Sequence, residues 1–250
     1  MFEIRIENLS KILNNKVVLD EVNLTVNEGE SLVIIGQSGC GKSVLLKHII
    51  GLMKPDAGAI YINGKNIVDI SEYELYEIRK QIAMVFQNAA LFDSMTVYQN
   101  VSFALREHSD YSEDEIEKIA AEKLALVNLK NTGQMNPAEL SGGMRKRVGI
   151  ARAIAMNPKL LLYDEPTTGL DPITSDVINE LIIDANTKLK MTSIIVTHDM
   201  TSAYKIADRI AMLYRGKIIG IDTVENIKNT KDPVIHQFIN GLASGPIQDS

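Results

Sequence analysis

Short, apolar, β-branched runs alternate along the chain with longer stretches in which apolar residues recur at helical spacing. Phe2, Ile4 and Ile6 alternate with Glu3, Arg5 and Glu7, which predicts a half-buried strand. Residues 22–26 (VNLTV) alternate in the same way before Asn27-Glu28-Gly29. Residues 31–35 (SLVII), 82–86 (IAMVF), 160–163 (LLLY) and 193–197 (SIIVT) are apolar almost throughout, so they predict buried strands. After the first of these, Val44, Leu45, Leu46, Ile49 and Ile50 fall on one helical face. Pro55, Gly58 and Asn63-Gly64 punctuate a hairpin with a strand at 59–62. Ser71 and Glu74 have capping-box spacing ahead of Leu75 and Ile78.

From Asn88 to Arg152 the strand signal disappears. Ser112 and Glu115 form a second capping box before Ile116, Ile119, Ala120, Leu124 and Val127, which predicts a helical insertion in an α/β frame. Pro158 stops a helix ahead of the 160–163 strand. Asp171-Pro172 supplies an N-cap and an N1 proline for a long helix carrying Ile173, Val177, Leu181, Ile182 and Leu189. Residues 210–214, Arg215-Gly216 and 217–221 read as a closing hairpin.

A length of 250 residues suits one large α/β domain, or a core with a subdomain. The net charge of −6 gives no long-range attraction for nucleic acid or anionic lipid, and a single cysteine, Cys40, excludes an intrachain disulfide and fits a reducing cytosol. The acidic N-terminus (MFEIRIENLS) is not a signal peptide, and no stretch approaches the ~18 apolar residues of a membrane span. A membrane role must therefore come through a partner.

The chemistry centres on GQSGCGKS: Gly36, Gln37, Ser38, Gly39, Cys40, Gly41, Lys42 and Ser43. Strand, glycine loop and helix in that order let backbone N–H groups converge on phosphates at a helix N-terminus, with Lys42 adding a cation and Ser43 a hydroxyl for Mg²⁺. Asp164 ends an apolar strand downstream, where such folds place the acid that holds Mg²⁺ through water. Glu165, one residue on, can orient or deprotonate an attacking water. Ser141, Gly142 and Gly143, in LSGGM, open a helix and offer a second anion site. Arg145-Lys146-Arg147 is the only dense basic cluster, and it reads as the solvated face of that helix.

LSGG, with the phosphate loop upstream and YDEPTTGLD downstream, resembles the nucleotide-binding subunits of ABC transporters over nearly the whole chain. The resemblance implies a P-loop NTPase core of ABC type with an antiparallel β subdomain. On this reading the ATPase domain spans 1–231, with core and β subdomain at 1–87 and 153–231, a helical subdomain at about 88–152, and a tail at 232–250. It implies ATP and Mg²⁺ as ligands, and Gln87, Asp171 and His198 in the places of the Q-loop, D-loop and switch histidine. Gln87 would join Ser43 and Asp164 at the metal, and His198 would meet the γ-phosphate. It also implies a homodimer in which each ATP lies between one chain's P-loop and the other's LSGG. Two departures stand out. Leu13 occupies the place of the usual adenine-stacking aromatic, so base selectivity should be low, and Met144 replaces the usual glutamine without removing a backbone donor.

The stretches GKSVLLKHIIGLMKPDAG, LFDSMTVYQNVSFALREHSDYSEDEI, RKRVGIARAIA and HQFINGLASGPI look like those of the MCE-linked, Mla-type ATPases, which move phospholipid between bacterial membranes. That likeness implies a place on the cytoplasmic face of the inner membrane, an integral permease, a periplasmic MCE lipid-binding protein and, in some members, a STAS-domain protein. Rival expectations are an importer or exporter of a small solute, or a non-transport ABC ATPase acting on DNA or ribosomes. The acidic balance and single cassette speak against the last. In the tail, Pro233 can start a helix with Val234, Ile235, Phe238, Ile239 and Leu242 on one face, which either packs on its own core or reaches another chain.

Overall fold

The computed structural model describes residues 2–248. The chain forms two compact units: one runs to Leu75 and resumes at Ile194, and the other is Tyr76–Ser193.

The first unit begins with β1 (Ile4–Leu13) and β2 (Lys16–Val26), then β3 (Ser31–Ile35), α1 (Lys42–Ile49), β4 (Ala57–Ile62), β5 (Lys65–Asn66) and the start of α2 (Glu72–Arg79). The second contains β6 (Ile82–Val85), α3 (Val97–His108), α4 (Glu113–Leu126), a 3₁₀ turn at Pro137–Glu139, α5 (Gly142–Ala153), β7 (Leu160–Asp164) and α6 (Pro172–Leu189). The chain returns through β8 (Thr192–Thr197), α7 (Met200–Ile206), β9 (Arg209–Tyr214), β10 (Lys217–Thr223), α8 (Val224–Lys228) and α9 (Pro233–Ile239).

In the first unit β1 pairs antiparallel with β2 and β4, and the alternation read in the sequence decides which side is buried: Ile4, Ile6, Leu24 and Val26 all face the core. The expected β3 appears with unchanged bounds and all five residues buried. It lies beside β9 in parallel register, Leu32 opposite Arg209 through Ile35 opposite Met212. Ser31 N–H donates to the Asp208 carboxylate at 2.8 Å, which fixes the start of that pairing. Arg215 (φ 48) and Gly216 (φ 80) turn β9 into antiparallel β10, as the closing hairpin requires.

In the second unit β6 and β7 run parallel, Ile82 opposite Leu160 through Val85 opposite Tyr163, and α3 packs on α4 and α5. Both capping boxes form, with Ser71 and Glu74 exchanging bonds ahead of α2 and Ser112 and Glu115 ahead of α4. Two apolar assignments fail here. Phe86 lies beyond β6 and is exposed, and Ile173 and Val177 near the start of α6 face outward, whereas Leu181 and Ile182 of the expected face are buried together with Ile178.

The tail packs on its own unit. The Ile235 side chain occupies the space over Gly220, where a Cβ would lie 2.6 Å from it. Leu242, read as part of the apolar face, is exposed, while polar Gln237 is buried. The Gln237 amide donates to the carbonyls of Leu242 and Ile247 and accepts the Ile247 N–H at 2.7 Å, so a side chain supplies the bonds that a strand neighbour would. The final two residues of the tail, 249 and 250, lie outside the described residues. Ile235 and Ile239 are buried and contribute ~1.5–3 kcal/mol each, so deletion of 232–250 should lower the melting temperature by roughly 6 °C or more in a scanning calorimeter. An unchanged melting temperature would mean that the tail adds nothing to its own unit.

His48 is wholly buried on α1, a placement the apolar pattern did not reveal. Nδ1 donates to the Val44 carbonyl at 2.8 Å, and Nε2 has no hydrogen-bond partner. Burial lowers its pKa from 6.5; Lys11 on β1 pushes the same way, and the Val44 and Lys54 carbonyls and Asp56 push against it. A depressed histidine stabilises the fold above the unfolded-state pKa and loses that contribution as pH falls toward the folded value. Urea midpoints measured at about pH 8 and about pH 5 should therefore converge in His48→Leu relative to wild type. Equal pH dependence in both proteins would show that His48 does not titrate with folding.

Candidate functional site

The P-loop leaves the buried end of β3 and enters α1 at Lys42. Its course depends on two missing side chains. A Cβ on Gly36 would lie 2.3 Å from the Leu213 carbonyl and 2.8 Å from Cys40 Sγ, and one on Gly41 (φ 109) would lie 2.9 Å from the Val18 carbonyl. The loop therefore runs as bare backbone against its neighbours. Lys42 is only 5% exposed, and its ammonium turns back to donate to the carbonyls of Gly36 (2.8 Å) and Gln37 (3.0 Å). A buried cation at the positive end of a helix favours an anion, and the small or polar residues Ser38 and Gly39 keep its outer side open. Cys40 and Ser43 are half-buried along the same turn.

His198 belongs to the same unit and stands exposed directly after β8. The following Asp199 caps α7 by accepting from the N–H groups of Thr201 and Ser202, so the chain direction at the histidine is fixed from the helix side. Leu13 ends β1 half-buried, opposite Lys16, and its aliphatic side chain offers no ring to stack on a base.

In the second unit Asp164 is the last residue of β7, and Glu165 follows it; both are nearly buried. Glu165 holds φ 50, a left-handed conformation that costs a non-glycine residue ~1–2 kcal/mol. Thr168 and Lys146 hold it there. Thr168 Oγ1 donates to Oε2 at 3.0 Å, Thr168 N–H donates to the Glu165 carbonyl at 3.3 Å, and Lys146 Nζ donates to that carbonyl at 3.3 Å. The basic cluster is thus a solvated face only in part, at Arg145. Lys146 is buried, Arg145 donates to the Leu140 carbonyl and Arg147 to those of Val127 and Asn128, because helix termini nearby present carbonyls that need donors.

Ser141 caps α5, its hydroxyl accepting the Met144 N–H at 3.2 Å; Gly142 is exposed and Gly143 buried. A Cβ on Gly143 would meet Thr174 Cγ2 at 2.6 Å. Asp171 caps α6 through the N–H groups of Ile173 and Thr174, both at 3.0 Å, and also accepts the Thr174 hydroxyl; these bonds pull its pKa below the usual carboxylate range. Thr174 therefore ties Asp171 to the start of α5. Gln87 is exposed just beyond β6, in a turn whose Ala89 and Ala90 have positive φ and whose carbonyls both accept from the Arg152 guanidinium at 2.8 Å. Beside it, Met84, Phe86, Phe92 and Phe103 line a groove of about 410 Å³ with Arg79 and Lys80 at its rim.

The sequence did not single out Thr168, Thr174 or Arg152. Thr168 and Thr174 each had one signal, a position three residues after a carboxylate, whereas Arg152 acts across elements distant in sequence. Among the described residues no cluster of three His, Cys, Asp or Glu side chains could hold a metal alone, so a divalent ion would take hydroxyl, water and phosphate oxygens besides a carboxylate. No described helix is long and apolar enough to cross a membrane.

Residues 19–168 match the model of the ABC transporter family. The chain is 40% identical, over 98% of its length and 93% of the relative's, to the Haemophilus influenzae intermembrane phospholipid transport system ATP-binding protein MlaF. It is 43% identical, over 98% of its length and 68% of the relative's, to the Mycobacterium tuberculosis protein named probable ribonucleotide transport ATP-binding protein mkl. It also superposes on the ATP-binding cassette MJ0796, solved as a dimer bound to ADP and phosphate, with a TM-score of 0.81 and 34% identity over 88% of this chain and 98% of that one.

Removing the Lys42 charge should weaken nucleotide binding by about 30-fold or more, since charge-assisted contacts to phosphate contribute ~2 kcal/mol or above. In fluorescence titrations with an ATP analogue, Lys42→Ala should keep its circular dichroism and lose affinity. Wild-type affinity would exclude the cradle as the phosphate site.

Proposed function

The chain belongs to the ABC transporter family, and from that membership we propose that it is the ATP-hydrolysing subunit of a system that moves phospholipid between bacterial membranes. Nucleotide binding is carried by one observation above the rest, the buried Lys42 ammonium gathered against its own loop carbonyls. The lipid cargo is supported by near-full-length similarity to a protein named for intermembrane phospholipid transport.

In this reading the backbone of 36–43 and Lys42 bind the phosphates of ATP, Ser43, Asp164 and Gln87 hold Mg²⁺, and the aliphatic Leu13 borders the base. Mg²⁺ held by these residues would neutralise phosphate charge. Glu165 takes a proton from the attacking water as the new bond to γ-phosphorus forms and the bond to the ADP oxygen breaks. His198 donates to the γ-phosphate. Ser141, Gly142 and Gly143 present the α5 N-terminus to ATP on a second chain, and Asp171 fixes that end through Thr174. Because the γ-phosphate completes this contact, ATP favours the closed pair and ADP releases it.

The catalytic domain is 1–231, with 88–152 as its helical subdomain. The chain sits on the cytoplasmic face of the inner membrane and works with an integral permease, a periplasmic MCE lipid-binding protein and, in some systems, a STAS-domain protein. The aromatic groove beside Gln87 is suited to the permease. A second reading, ribonucleotide transport, draws on the name of the mycobacterial relative. Purification of the tagged chain with its membrane partners, followed by mass spectrometry of the bound small molecules, separates the two: phospholipid supports the first, and ribonucleotide cargo in the permease would replace it.

Glu165→Gln preserves shape but cannot accept a proton, so turnover should fall by about 10²-fold or more while ATP binding persists. Size-exclusion chromatography of this variant with Mg-ATP should give a stable dimer. A monomer that still hydrolyses at the wild-type rate would remove Glu165 from the role of base.

A further inference from the structure

We propose that Lys146 is a positioning residue for Glu165, holding the peptide of the base from the signature helix. The proposal rests on Glu165 being the base. Lysine is seldom buried without a partner, because removing an ammonium from water is costly. Lys146 is nevertheless 8% exposed on α5, while Arg145, immediately before it, is exposed. Its Nζ donates to the Glu165 carbonyl at 3.3 Å.

That carbonyl belongs to a residue in left-handed conformation, φ 50, which persists only where its surroundings enforce it. Thr168 fixes the Glu165 carboxylate and shares the carbonyl, but it lies on the same turn and moves with it. Lys146 holds the carbonyl from a different element, α5. Burial lowers the Lys146 pKa and the Glu165 charge raises it, so carboxylate and ammonium lie within electrostatic reach.

The placement has a mechanical consequence. Lys146 lies one turn into α5, which Ser141 caps and Gly142 and Gly143 begin. A helix turn is stiff, since its backbone bonds close within the segment. A displacement of α5 when an anion meets its N-terminus is therefore delivered through Lys146 to the backbone of the base. The same chain thus links the anion site it offers to a second copy with the base it uses itself.

Lys146→Met keeps length and apolar volume and removes the donor. The expected result is a fall in kcat of about 10-fold, with KM for ATP, analogue affinity and melting temperature near wild type. A mere packing role would not give that split, since misplacing a reacting group acts on the chemical step and leaves ground-state binding intact. In single-turnover assays, adding Lys146→Met to Glu165→Gln should produce no further loss, because a positioning residue has nothing left to position. The inference is overturned if Lys146→Met keeps kcat within about twofold, if its loss appears in KM or melting temperature, or if the loss persists in full on top of Glu165→Gln. Failure of the underlying reading looks different: Glu165→Gln alone would then hydrolyse ATP at the wild-type rate.

Discussion

A lysine charge enclosed by its own backbone is the constraint on which the site depends. Lys42 is held by the carbonyls of Gly36 and Gln37, and the loop takes that course because Gly36 and Gly41 lack the Cβ that would collide with the carbonyls of Leu213 and Val18. The close approach in turn requires β9 and β2 where they are, so the short glycine loop is shaped by strands distant in sequence. Partial neutralisation by carbonyl dipoles keeps the ammonium buried until a stronger anion arrives.

The carboxylate side follows a related rule with different means. Asp164 closes a strand buried at every position, and the next residue must leave the sheet sharply; the chain does so with Glu165 in the left-handed region. Strain at a single residue is tolerable where several bonds oppose it, and here Thr168 and Lys146 supply them. Loop conformations near other predicted site residues are kept the same way. Arg152 spans the carbonyls of Ala89 and Ala90 after Gln87, and Asp171 with Thr174 fixes the start of α6 and packs against Gly143. Side-chain donors on helices thus set the backbone that carries the candidate chemistry.

The C-terminal segment illustrates how polar groups replace regular structure. Its apolar residues left open whether the face packs on its own core or on another chain; Ile235 fills the space above Gly220, and the Gln237 amide satisfies the backbone of Ile247. A buried glutamine with its donors and acceptor engaged is compatible with the interior, and it lets a segment without strand pairing lie against the unit.

The sequence alone determined what depends on local spacing. Continuous apolar runs specified β3, β7 and β8, capping boxes specified the starts of α2 and α4, and Asp171-Pro172 specified the start of α6, because strand burial, N-cap bonding and proline geometry act within a few residues. The order of the phosphate loop, the LSGG segment and the Asp164-Glu165 pair was likewise legible, since each requires particular residue types in succession. Tertiary structure decided everything that depends on contacts between distant segments. Lys146 is buried and not solvated, Phe86 and Ile173 face outward despite their apolarity, and His48 is interior despite its polarity. Periodicity reports which side of an element is greasy but not which carbonyl a buried donor will find, and that choice is made only when α5, β7 and the turn after it pack together.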